Sequence, residues 1–233
     1  MNDDTAARRT SVANVRRDAF VLAAAVGVVG IAFGVLARTA GLTVGQACVM
    51  SLCVFTGASQ FAAVAVISGG GSGVAALGSA VLLAVRNALY GPLVHRWLLA
   101  ERPSTRVLLA QIVIDESAGV GAAQPDVESS RHSFVAAGLG VYVAWNLGTL
   151  LGALVGDVVG SVEAWGLDAA FPSVFIALLA PHLHSQPARL TTAIAAVVTA
   201  STIPFVPIGV PILVAALSVV PGAVFTSRRA RSW

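Results

Sequence analysis

Arg86 stands in the middle of an apolar run of the kind that enters a bilayer. Residues 80–93 read Ala-Val-Leu-Leu-Ala-Val-Arg-Asn-Ala-Leu-Tyr-Gly-Pro-Leu. A charge at mid-bilayer costs at least ~2.5–3.5 kcal/mol on insertion scales, so such a residue faces a protein interior, a water-filled cavity or a partner. The chain must therefore fold so that other segments surround Arg86. On a helix Arg86 and Tyr90 are i, i+4 neighbours, and Asn87 and Tyr90 are i, i+3 neighbours, so all three reach one side. Pro92, next to Gly91, lacks a backbone donor and predicts a kink.

The rest of the chain can supply those surroundings. Of its 233 residues, 57% are hydrophobic and 11% charged, against roughly 25% charged in soluble domains. Too little polar surface remains for a water-soluble particle. The fold class is therefore all-α: a polytopic integral membrane helical bundle. A span takes about 20 apolar residues, so roughly seven or eight spans fit, with discontinuous or re-entrant helices among them. No soluble domain of useful size fits beside them. The net charge of +3 is too small to point to nucleic acid. Cys48 and Cys53 are five apart on one apolar segment and do not share a helix side, so they read as two small buried thiols.

Three parts follow along the chain. Residues 1–18 form a polar, cytoplasmic N-terminal tail, residues 19–226 a single transmembrane transport domain, and residues 227–233 an Arg-rich C-terminal tail. Within the domain, spans are expected at about 19–36, 44–67, 74–99, 134–156, 169–180, 190–203 and 212–225, with a short or re-entrant segment at 107–123. Gly30 and Gly34, and again Gly148 and Gly152, have the spacing that lets helices approach closely. Arginines at both ends favour two cytoplasmic termini and an even span count. Eight spans would leave Arg96, Arg102 and Arg106 outside, whereas a re-entrant 107–123 would give seven. Both counts stand.

Few polar residues fall inside these segments. Thr56, Gly57, Ser59 and Gln60 fit two readings: a loosened helix that offers backbone groups to a substrate, or ordinary interhelical hydrogen bonding. Asp115 and Glu116 either balance Arg86 or carry a proton, or they sit at a water-exposed helix end. Asn146 either faces the interior or only packs. His182 and His184 are too weak a pattern for a metal site, and no cofactor is expected. The chain has no Walker A, His-Glu-x-x-His or Gly-x-Ser-x-Gly motif, so it reads as a protein other than an enzyme. Arg86 with an acid and amides suits a zwitterion, and the aliphatic surroundings suit an apolar side chain. An ion or proton channel, or a membrane assembly protein without transport, remain the alternatives.

These stretches also carry a resemblance. Ala32-Phe33-Gly34 leads into Ala40-Gly41-Leu42, followed by Thr56-Gly57-Ala58-Ser59-Gln60-Phe61-Ala62-Ala63. Then come Arg86-Asn87-Ala88-Leu89-Tyr90-Gly91, Asp115-Glu116-Ser117, Trp145-Asn146-Leu147-Gly148-Thr149 and Gly166-Leu167-Asp168-Ala169-Ala170-Phe171-Pro172. In this order, over about residues 19–185, the chain resembles the AzlC family of branched-chain amino-acid permeases. The resemblance implies the large subunit of a two-component exporter in the bacterial inner membrane. It also implies a small AzlD-type membrane partner and valine-like substrates or analogues. The substrate-binding residues would be Thr56, Gly57, Ser59, Gln60, Arg86, Asn87, Tyr90 and Asn146, with Asp115 and Glu116 for proton or charge balance. The family's usual Asn-x-Arg-His appears here as Ala84-Val85-Arg86-Asn87. That departure bears on substrate preference and on any proton role at the position.

Overall fold

The structure, a computed structural model, describes residues 3–156, 173, 176, 179–180, 183–206 and 210–217. The acidic loop expected at 157–168, most of the span expected at 169–180, His182, much of 212–225 and the 227–233 tail lie outside the described residues. Among the described residues the regular elements are helices, with no strand. An apolar solvent leaves backbone groups no partner but each other, and a helix satisfies them within its own segment.

The first helix, α1 (Asp3–Thr39), takes in residues read as a polar tail and continues through the apolar stretch Ala19–Thr39. After a turn at Gly41, whose φ of +89° suits a residue without Cβ, Thr43 caps α2 (Val44–Cys53). The Thr43 hydroxyl accepts from Gln46 N, and the Gln46 side chain accepts from Thr43 N at 2.8 Å. The next helix is α3 (Gly57–Ser68). The span expected at 44–67 is thus two helices of 10 and 12 residues. At ~1.5 Å per residue, each covers about half of a ~30 Å hydrocarbon core.

A second break separates α4 (Gly73–Ala88) from α5 (Gly91–Trp97), which are bent by 47°. The bend falls at the expected Gly91-Pro92 step. The segment expected at 107–123 is likewise divided, into α6 (Pro103–Ala110) and α7 (Asp115–Ala122). Asp126 then caps α8 (Val127–Val155) by accepting from Ser129 N at 2.9 Å. Two described helices, α1 and α8, are long and apolar enough to cross a membrane, and the bent pair α4 and α5 makes a third if it is one span. The seven or eight spans expected from the sequence are not reached among these residues: those at 44–67 and 74–99 are broken, and most of 169–180 and much of 212–225 lie outside the described residues.

The chain divides into two compact units. In the first, Met1–Gln60 with Ala84–Gly160, α8 packs along α1. Small residues let the backbones touch, as the spacing predicts. A Cβ added at Gly148 would collide with the Gly27 carbonyl oxygen, and one added at Gly152 with the Ile31 carbonyl oxygen. One added at Gly34 would lie 2.6 Å from Ala153 N. Phe33 stacks on Trp145 in this contact, with ring centroids 5.8 Å apart. A second core joins Val94, Trp97 and Leu98 of α5 to Ile112 and Phe134, with Tyr90 and Tyr142 packed against it.

The second unit comprises Phe61–Leu83 and Ser161–Trp233. Within it Ser185 caps α9 (Gln186–Thr202), which packs on α10 (Val210–Ala216). The span expected at 190–203 lies largely within α9.

Candidate functional site

The breaks collect the polar side chains. Arg86 lies in the last turn of α4, which tightens as it ends: Leu89 N donates to Arg86 O at 3.0 Å and Tyr90 N to Asn87 O at 3.1 Å. Asp115 and Glu116 open α7. The chain reaches them in extended form through Ile114, and the fully buried Ser117 hydroxyl fixes that entry. It donates to Ile112 O at 2.6 Å and accepts from Ile114 N at 3.1 Å. A helix C-terminus favours a cation and an N-terminus an anion. Each of these charges is therefore favoured by its own helix end before the two meet.

They meet directly. Arg86 Nη2 lies 2.8 Å from Asp115 Oδ2, with 37% of the arginine and 26% of the aspartate side chain exposed. The pair is thus partly open, and each partner keeps an unused group: Arg86 Nε and Asp115 Oδ1 are both buried without a hydrogen-bond partner. The Asn87 side-chain oxygen is in the same state. Tyr90 stands in electrostatic range of Asp115, Arg86 and Glu116. Glu116 in turn feels both Arg86 and Asp115. The structure therefore brings Arg86, Tyr90, Asp115 and Glu116 together, with Asp115 as the paired acid.

A second group surrounds the break between α2 and α3. Ser59 and Gln60 are fully buried and Thr56 nearly so. The Thr56 and Ser59 hydroxyls are 3.4 Å apart. Gln60 Nε2 donates to Met50 O at 3.0 Å, leaving its own oxygen buried and unpartnered. Gly57 faces the Trp145 indole, where an added Cβ would stand 3.0 Å from the ring. Asn146, the residue after Trp145, turns its amide to its own helix and donates to Tyr142 O at 2.8 Å. Ser51 donates to Thr149 at 3.1 Å within the buried contact of α2 with α8.

Gln111 and Tyr142 tie the two groups together, and neither stands out in the sequence as a site residue. Gln111 Nε2 donates to Leu52 O at 2.8 Å, and Tyr142 Oη donates to the same oxygen at 3.2 Å. The only sequence signal was an amide and a phenol inside apolar segments. Both cysteines are free, but they are not the buried thiols expected: Cys48 is half-buried and Cys53, at the end of α2, is exposed. No group of three or more His, Cys, Asp or Glu among the described residues is arranged to hold a metal.

Apolar helices interrupted at polar side chains, with an ion pair between two of the breaks, define a helical membrane protein. The chain belongs to the AzlC family: the family's AzlC protein model matches residues 21–159. It is also similar to an uncharacterized membrane protein of Archaeoglobus fulgidus. The two are 31% identical over 163 residues, which cover 69% of this chain and 71% of that protein. No solved structure matches it.

Proposed function

We propose that the chain is the transport subunit of a permease that exports branched-chain amino acids or close analogues, and is not an enzyme. It would act with a small AzlD-type membrane partner as a multi-pass protein of the bacterial inner membrane, with seven or eight spans in all. Family membership and the apolar helices support a membrane transport role. The observation that carries the substrate reading is the partly open Arg86–Asp115 pair, with an unused donor on one side and an unused acceptor on the other.

An amino-acid zwitterion has the matching groups. Its carboxylate accepts from the free Arg86 N–H and its ammonium donates to the free Asp115 oxygen, both as charge-assisted hydrogen bonds. The ion pair need not separate for this to happen. Tyr90, Asn87 and Glu116 border the same place, and the aliphatic residues of α4 favour an apolar side chain over a polar one. The second group, Thr56, Gly57, Ser59, Gln60 and Asn146, lies along the path. Transport proceeds by alternating access around this site, with the helix breaks as the places that move.

The test is efflux from cells loaded in turn with valine, leucine, isoleucine and methionine, with and without the small partner. Efflux of at least one, lost in Arg86→Ala at equal protein level, supports the reading. Identical efflux of all four in cells with and without the pair of proteins rejects it.

A further inference from the structure

The α2–α3 break holds its shape through side chains from outside both helices. The last carbonyls of a helix have no partner within it, and an apolar environment makes leaving them bare expensive. At the end of α2, Met50 O is satisfied locally, by Val54 N at 2.9 Å and by Gln60 of α3. Leu52 O is not. Its two donors are Gln111, from the link between α6 and α7, and Tyr142, from α8. Gln111 Nε2 also lies 3.4 Å from Cys53 O. The Tyr142 ring is held edge-on against Phe55, with centroids 4.8 Å apart, so its hydroxyl is aimed at the break.

Gln111 is also joined to the ion pair. It stands four residues before Asp115, and the intervening chain is pinned by Ile112, which packs in the core with Val94, Trp97 and Leu98, and by the Ser117 hydroxyl. A shift of Asp115 toward or away from Arg86 must therefore move the segment that carries Gln111. We infer that Gln111 and Tyr142 are positioning residues: together they latch the α2–α3 break through Leu52 O, and the Arg86–Asp115 pair governs the Gln111 half of the latch. The inference deepens the transport reading by naming how a charge event at the site would reach the α2–α3 break.

The test uses Cys53, which ends α2 and is exposed. In a Cys48→Ser background the full chain is purified and reconstituted, and Cys53 is alkylated with a water-soluble maleimide, without substrate or partner subunit. Tyr142→Phe keeps the ring against Phe55 and removes only the hydroxyl, while Gln111→Ala removes the other donor. Each raises the alkylation rate about fivefold, the scale of one lost hydrogen bond. Amide hydrogen exchange across residues 50–60 rises in parallel. Asp115→Asn raises both readouts when Gln111 is present and adds nothing in Gln111→Ala, which a purely local cap would not show. Unchanged Cys53 alkylation and exchange in Tyr142→Phe and Gln111→Ala overturn the latch. An Asp115→Asn effect of equal size with and without Gln111 overturns its control by the ion pair. Because neither readout involves transport, these outcomes are separate from success or failure of the efflux assay.

Discussion

Arg86 and Asp115 are 2.8 Å apart although one closes α4 and the other opens α7. Between them the chain runs through α5, α6 and two breaks. Each charge lies at the helix end that favours it, and each retains a buried atom without a partner. The pair is therefore a structural tie between two broken segments, and it is the polar anchor of the proposed zwitterion site.

Removing one partner should be worse than removing both. A buried pair broken on one side costs about 3–5 kcal/mol, and an exposed pair about 0–1 kcal/mol. The partial exposure here places Arg86→Ala and Asp115→Asn between those limits. Arg86→Ala with Asp115→Asn should recover much of the lost thermal stability in detergent while transport stays absent. Melting curves of the two single variants and the double variant check this. A double variant less stable than either single variant would contradict it.

The α1–α8 contact should tolerate no side chain at its closest points. At Gly152 an added Cβ meets the Ile31 carbonyl oxygen, and backbone cannot rotate away as a side chain can. Gly152→Ala should destabilise the protein by about 1–3 kcal/mol, the usual range for overpacking. Gly73→Ala, where nothing lies within 4 Å, is the matched control. Comparable melting temperatures for the two variants would argue against the contact.

Ser51 and Thr149 should be coupled. Both are fully buried, and their hydroxyls are 3.1 Å apart. Ser51→Ala and Thr149→Val, alone and together, form a double-mutant cycle with an expected coupling of about 0.6 kcal/mol, the average for hydrogen bonds between membrane helices. Strict additivity would show that the hydroxyls do not depend on each other.

Gln60→Leu should loosen the α2–α3 break without emptying the core. Leucine nearly fills the volume but cannot donate to Met50 O, which keeps only its bond from Val54 N. Faster hydrogen exchange at Val54 with an unchanged rate in α8 is the expected pattern. A uniform change across the protein would point to global destabilisation instead.

Much of this arrangement was legible in the sequence for physical reasons. A lone arginine in an apolar run requires a counter-charge, and the chain offers few acids. Proline beside glycine forecasts the bend after Tyr90. The Gly30 and Gly34 pair and the Gly148 and Gly152 pair forecast a close helix contact. What the pattern could not supply was partner choice over long separations. Asp115 rather than Glu116 pairs with Arg86 because Ser117 fixes the register at which α7 begins. Whether the helix breaks before Gly57 is open in the sequence, since the Thr, Ser and Gln of residues 56–60 serve either form. It is settled by donors more than 50 residues away, Gln111 and Tyr142.

Valine efflux from cells co-expressing the small partner subunit, compared between the parent protein and Arg86→Ala at matched membrane levels, bears most directly on the proposed site. Efflux in the parent and its loss in the variant is the predicted result. Undiminished valine efflux in Arg86→Ala would contradict it.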